Sequence, residues 1–115
     1  MLARAQRLTD AAGFASAVRR GRRAGSRTLV VHLDTVEGDA GVRIGFVVSK
    51  AVGPSVTRNR VKRRLRHLAR EQLSSVETRL PGSAVLVVRA LPASADAGYE
   101  ELRVDLARCL ERVTS

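Results

Sequence analysis

The residues with the most chemical potential in this sequence form a basic stretch that follows Pro54. Between Arg58 and Arg70 the chain places seven of its 21 lysine and arginine residues, and the first acid to follow is Glu71. The seven cations are Arg58, Arg60, Lys62, Arg63, Arg64, Arg66 and Arg70. A run of this density can neutralise several phosphates of a nucleic acid.

The stretch has the periodicity of an amphipathic helix. With about 100° between successive residues, it separates into a narrow apolar face and a broad polar face. The apolar face carries Val61, Leu65, Leu68 and Gln72; the polar face carries Asn59, Lys62, Arg63, Arg66 and Arg70, with Arg60 and Arg64 on the flank. We expect this helix to dock through its apolar stripe and to present its cations to a partner. A basic face that is only solvated is the alternative interpretation.

The start of the predicted helix places cations where an isolated helix disfavours them. Pro54 precedes Ser55, which we predict to be the N-cap. Arg58 and Arg60 then lie in or near the first turn, where the helix dipole is positive and each cation costs about 0.3–1 kcal/mol. A bound polyanion reverses that sign, because free N–H groups and cations then converge on the same phosphates.

The composition points to one small basic domain over residues 1–115. The net charge of +10 and the pI near 11.6 imply an acidic partner, and an aromatic content of 3% implies an aliphatic core. Binding to a membrane surface is disfavoured because the apolar face of the helix lacks Trp and Phe.

Cys109, the only cysteine, fits a reducing compartment and is predicted to pack in the core. With no signal peptide or membrane span, we expect a cytoplasmic protein.

The hydrophobic pattern predicts an α+β fold in the order helix, strand, strand, helix, strand, helix. The predicted elements are a helix over 11–19, strands over 29–36 and 42–48 joined as a hairpin, the basic helix from 55 to about 73, a strand over 84–90 and a helix over 99–113. Val42, Ile44, Phe46 and Val48 should face the core. The apolar run over 84–90 indicates a central strand covered on both faces.

Residues 19–27 predict a flexible cationic loop, because arginines cluster there around Gly21 and Gly25. Contact with nucleic acid and simple solvation both remain open for this loop.

The sequence contains no set of side chains whose types and spacing are typical of a catalytic site. His32 is expected in mid-strand and His67 in mid-helix, far apart in sequence, and the carboxylates are scattered. No metal-ligand spacing, nucleophile motif or phosphate-binding glycine loop is present. We therefore predict no catalytic residue and no metal site in the protein itself.

Two segments resemble the bacterial ribonuclease P protein subunit. They are Ile44 to Lys50, which reads IGFVVSK, and Arg58 to Arg63, which reads RNRVKR and is followed by Arg66. Weaker matches extend over nearly the whole chain, at Leu8, Phe14, Gly21, Arg89 and Tyr99-Glu100. The resemblance implies a central sheet packed with three helices and a left-handed βαβ crossover, as in the related ribosomal-protein-like folds.

The resemblance also implies a function: a monomeric cofactor protein for a catalytic RNA that removes 5′ leaders from precursor tRNA. Catalysis and Mg²⁺ would belong to the RNA subunit. Carried over by motif, the RNA contacts would be Lys50, Arg58, Asn59, Arg60, Lys62, Arg63, Arg66 and Arg70. A separate leader cleft, between the first helix and the sheet, would contain Phe14, Val18, His32 and Arg89.

This sequence departs from the family in that cleft, where further aromatic residues are common. Val18, Leu29 and His32 stand at the corresponding positions, so we expect leader binding to depend on charge and apolar contact. Plain packing remains the alternative for Phe14 and His32. Two other functions also remain: a ribosomal or assembly RNA-binding protein, and a stand-alone endoribonuclease that uses His32 or His67.

Overall fold

The computed structural model describes residues 21–35, 41–77, 80 and 83–115, with the side chains of 76 and 77 excepted. The predicted first helix, with Phe14 and Val18, lies outside this part of the chain. The described residues form a four-stranded sheet and two α-helices, and this confirms the α+β class.

The sheet is mixed, and its strand order is β1-β2-β4-β3. The strands are β1 (Arg22–Gly25), β2 (Leu29–Thr35), β3 (Gly41–Val47) and β4 (Ser83–Ala90). β2 is antiparallel to both β1 and β4, whereas β3 runs parallel to β4. The apolar run of β4 lies at the centre and is buried along nearly all of its length, as predicted.

Two sequence predictions about the sheet are wrong. β2 and β3 do not form a hairpin, because β4 is inserted between them and pairs with both. Local turn residues cannot show that an apolar strand later in the chain will take this central place. Residues 22–25 are strand rather than loop; only Ala24 of β1 is buried, so the edge strand lacks an apolar sequence signal.

Two helices cross one face of the sheet. Helix α1 (Ser55–Glu77) joins the parallel strands β3 and β4, and helix α2 (Tyr99–Thr114) closes the described chain. Short 3-10 turns at Lys50–Val52 and Pro92–Ala95 precede them. α1 continues past the predicted end near Leu73, because no helix-breaking residue stands before Pro81.

Alternate residues of each strand point to opposite faces of the sheet, which we call the helix face and the second face. On the helix face, Val42, Ile44 and Phe46 pack with both helices in the main core, and Val48 packs against it, as predicted. Five residues of α2 complete that core: Leu102, Leu106, Cys109, Leu110 and Val113. The second face carries a smaller apolar cluster of Val85, Val87 and Val47.

Candidate nucleic-acid interface

The apolar stripe of α1 fixes the orientation of its cations. Val61, Leu65 and Leu68 are completely buried, and Ala69 and Leu73 are nearly so. Because side chains at i and i+4 share a helix face, this docking turns the predicted polar face outward. The apolar and polar faces predicted for the helix are therefore those it adopts.

The outward face of α1 consists of cations without acidic partners. Asn59, Arg63 and Arg70 are exposed, and Lys62 and Arg66 are partly exposed. None of these four cations forms a salt bridge within the described residues. The first turn of α1 contains no acid either. We call this group of five residues the cationic face.

Three other arginines of α1 donate hydrogen bonds to backbone carbonyls of neighbouring segments. Arg60 donates from Nη2 to the Ala95 carbonyl at 2.8 Å, and Arg64 donates from Nη1 to the Ala97 carbonyl at 3.4 Å. Arg58 donates from Nε to the carbonyl of Gly53 at 3.1 Å. These bonds attach α1 to the segment before α2 and to its own entry. The Arg58 and Arg60 predicted as RNA contacts thus also have structural roles.

The entry to α1 is a tight connection built on Gly53. This residue has φ of 149°, a conformation that side chains rarely adopt, and a Cβ there would lie 3.4 Å from Thr57. The connection places the exposed Lys50 just before the first turn of α1. That turn begins at Ser55 itself, with the Pro54 carbonyl accepting the Arg58 amide hydrogen, so the predicted N-cap at Ser55 is one residue off.

The second face brings together the two described residues of the predicted leader cleft. His32 lies opposite Val87 of β4, and Arg89 lies opposite Val30, the next residue along that face. His32 is 2% exposed, and neither ring nitrogen has a hydrogen-bond partner within the described residues. Burial, followed by the nearby charges of Arg89 and Arg23, lowers the pKa of His32 below its ordinary value of 6.5.

The second face carries two further cations that the sequence analysis did not assign to the leader cleft. Arg23 pairs with His32 across β1 and β2, and Arg43 pairs with Val85 across β3 and β4. The Nε atoms of Arg43 and Arg89 are buried without a partner in the described part of the chain. Strand alternation could have identified Arg43, because its neighbours Val42 and Ile44 were assigned to the core.

The remaining described arginines of the predicted cationic loop make intramolecular contacts at the surface. Arg27 forms a bidentate ion pair with Glu101 of α2, with contacts of 2.6–2.8 Å. Arg22 donates from Nη2 to the Ser115 carbonyl at 2.7 Å. Both side chains are exposed and each has an intramolecular partner. Contact of this segment with nucleic acid stays a prediction.

Candidate catalytic groups are not brought together. His32 lies on the second face, whereas His67 projects from α1 on the other side of the sheet, 3.3 Å from Glu71. Among the described residues, no three His, Cys, Asp or Glu side chains form a group that could hold a metal ion. Cys109 is buried in the main core, and burial raises the pKa of its thiol. None of the described helices is long and apolar enough to cross a membrane.

A mixed four-stranded sheet, with one helix that displays cations lacking ion-pair partners among the described residues, defines a small basic α+β protein. The ribonuclease P family model matches residues 2–114. The ribonuclease P protein component of Nocardioides sp. is 64% identical over 115 residues, covering 98% of this chain and 95% of that protein. The Streptomyces griseus protein component is 49% identical over 121 residues, with 98% and 95% covered.

Among solved structures, the RNase P protein of Staphylococcus aureus superposes with a TM-score of 0.81 at 25% identity, covering 96% of this chain and 98% of that one. The chain belongs to the ribonuclease P protein family. Membership makes it part of a tRNA-processing endoribonuclease and implies partnership with an RNase P RNA and a tRNA substrate.

Proposed function

We propose that this protein binds the catalytic RNA of ribonuclease P through the cationic face of α1 and promotes removal of the 5′ leader from precursor tRNA. The observation that carries the proposal is the set of outward cations without acidic partners: Lys62, Arg63, Arg66 and Arg70. Lys50 and the helix entry extend this charge toward the first turn, where free N–H groups add to the attraction for phosphate.

The second face is the proposed contact for the single-stranded leader. His32, Arg89, Arg23 and Arg43 share that face, and three of them keep buried nitrogen atoms without a partner in the described residues. Positive charge beside an apolar strip of Val85 and Val87 suits a strand that offers both phosphates and bases. Stacking contributes little there, since His32 supplies the one described aromatic ring.

The protein is proposed to supply binding, and the RNA with its Mg²⁺ ions is proposed to supply the chemistry. The separation of His32 from His67 by the sheet supports this division, because general acid–base catalysis needs both groups within reach of one phosphate. The compartment of this reaction would be the bacterial cytoplasm.

Single-turnover cleavage of a precursor tRNA at low millimolar Mg²⁺ tests the proposal. We expect cleavage at the mature 5′ end when protein and a bacterial RNase P RNA are mixed, and no cleavage by the protein alone. Tight RNA binding without stimulation would favour the ribosomal or assembly-type alternative. Cleavage by the protein alone would contradict the division of roles.

The salt dependence of RNA binding tests the cationic face directly. With five to seven phosphate contacts, the slope of log K against log salt should be roughly −3.5 to −6, because each contact contributes about 0.7–0.9. Arg63→Ala should flatten the slope by about one such contact. Arg112→Ala is the matched control, since it also removes one exposed arginine, from the last turn of α2. Equal effects of the two changes would show a response to net charge alone.

A further inference from the structure

An aromatic pair stands at the edge of the cationic face. The ring centroids of His67, in α1, and Tyr99, the first residue of α2, lie 6.2 Å apart with their planes inclined by 50°. The side chain of His67 is 59% exposed, and Tyr99 is 36% exposed. The two rings therefore form a surface feature and not a part of the core.

The position of Tyr99 is unusual for this protein. Apart from its two histidines, the whole sequence holds three aromatic residues, one Tyr and two Phe, and no Trp. Within the described residues, only Val56 and Tyr99 are large hydrophobic side chains that are exposed. Contact between α1 and α2 is made mainly by buried apolar side chains, with one hydrogen bond from Gln72 Nε2 to the Arg103 carbonyl at 3.4 Å. Packing alone thus gives no reason to keep an aromatic ring at this surface.

Cations and an amide lie beside the His67 end of the pair. On α1, His67 is about 40° from Arg63 around the helix axis and one turn from it along that axis. A groove of about 450 Å³ runs beside it, lined by Asn59, Lys62, Arg63, Arg66 and His67. Glu71 Oε1 lies 3.3 Å from His67 Nε2. The imidazole of His67 thus lies next to three cations and an amide.

We propose that the rings of His67 and Tyr99 form a stacking platform for an unpaired nucleobase of the bound RNA. A nucleotide carries its phosphate and its base on one sugar, so a groove with Lys62 and Arg63 beside an aromatic surface fits both parts of the same unit. Stacking on an aromatic side chain tolerates any base, because every base has a π face. The inference rests on the proposed RNA contact of the cationic face and adds an unpaired nucleotide to it.

The single tyrosine makes the platform directly observable. Incorporating 3-fluorotyrosine gives one ¹⁹F resonance, since Tyr99 is the only tyrosine. We expect this resonance to shift when a short single-stranded RNA binds. An abasic oligonucleotide of equal length and phosphate number should leave it nearly unchanged at saturation. Equal shifts with the two ligands would overturn the platform.

Substitution at Tyr99 gives an independent measurement. Tyr99→Leu should weaken binding of the base-containing RNA by about 5- to 20-fold, the lower part of the range for one stacked base. Its affinity for the abasic oligonucleotide and its salt slope should stay at the wild-type values. Tyr99→Phe keeps the ring and should bind like the wild type. Thermal unfolding of each free variant checks that the fold is retained.

The outcomes separate the two proposals. If Tyr99→Leu binds base-containing RNA as tightly as the wild type, with the same steep salt slope, the platform is wrong and the cationic face remains. If the wild-type protein does not bind RNase P RNA at all, the proposed function is wrong. A ¹⁹F shift with the single-stranded RNA that the abasic oligonucleotide does not give would then still support stacking of a base on Tyr99.

Discussion

Individual arginines of α1 have different tasks although they adjoin in sequence. Arg60 reaches the Ala95 carbonyl at 2.8 Å and is half-buried, whereas Arg63 is exposed and makes no described ion pair. A charged donor on a backbone carbonyl contributes more to stability than a solvated cation does. The composition of the stretch hides this difference, because both residues count equally as positive charge.

We expect Arg60→Ala to lower the free energy of unfolding by about 1–2 kcal/mol, because it leaves the Ala95 carbonyl without its donor. Arg63→Ala should change it by less than about 0.5 kcal/mol. Urea unfolding of both variants, monitored by circular dichroism, makes the comparison. Similar losses for the two variants would contradict the structural role assigned to Arg60.

The buried ring of His32 predicts a loss of stability in mild acid. Its pKa is lowered in the folded protein, so the folded state keeps the ring neutral while the unfolded chain binds a proton near the ordinary value of 6.5. The unfolded state therefore holds more protons below that pH, and stability falls as the pH drops from about 7 toward 5.

His32→Leu should remove much of this fall, as measured by urea unfolding at a series of pH values. His67→Gln replaces the only other histidine, and comparison of the two variants assigns the effect to one ring. An undiminished fall in His32→Leu would show that the acid sensitivity has another source.

At the scale of the elements, α2 is attached to the β1–β2 turn by polar contacts. The completely buried Thr28 donates from Oγ1 to Asp105 Oδ2 at 2.5 Å, next to the exposed ion pair of Arg27 with Glu101. When a partly buried carboxylate loses its hydrogen-bond donor, water cannot fully take the place of that donor. The two groups of an exposed ion pair, in contrast, are readily hydrated when the pair is broken.

Thr28→Val should therefore lower the free energy of unfolding by about 1–2 kcal/mol, while the shape of the side chain is retained. Glu101→Gln should change it much less, because the ion pair that it removes is exposed. The midpoints of thermal or urea unfolding provide the measurement. A larger effect from Glu101→Gln would reverse the ranking of the two contacts.

The sequence predicts elements with strong internal periodicity and not the pairing between them. α1 and α2 were located from their apolar stripes, and β3 from its alternation, because each pattern lies within one segment. The β2–β3 hairpin was predicted wrongly because pairing depends on β4, about 50 residues further on from β2 in the chain. β1 was missed because an edge strand with one buried residue, Ala24, has no pattern to detect.

The candidate site was predictable to a similar extent. The outward direction of Arg63, Arg66 and Arg70 follows from the helix period. The bonds of Arg60 and Arg64 to the segment before α2 do not, because they depend on how a distant loop approaches. The contact of His67 with Tyr99 spans 32 residues of sequence and required the packing of α1 against α2 to be known.

For the whole molecule, a net charge of +10 should make salt act in opposite directions on folding and on binding. Raising the salt concentration screens repulsion between the arginines and should raise the melting temperature of the free protein. The same change weakens RNA binding by making counterion release less favourable.

Thermal unfolding and RNA titration over one series of salt concentrations test this expectation. A melting temperature that falls with added salt would show that attractive pairs such as Arg27–Glu101 outweigh the repulsion.

The central place of β4 has a consequence for how the protein is made. β3 has no partner within the described sheet until Ser83–Ala90 leaves the ribosome, and α1 is synthesised before that strand. Pairings that bridge long stretches of chain are slow to form. The arginines of α1 are therefore synthesised before the sheet against which α1 packs is complete. A polyanion can bind these arginines before the protein has finished folding.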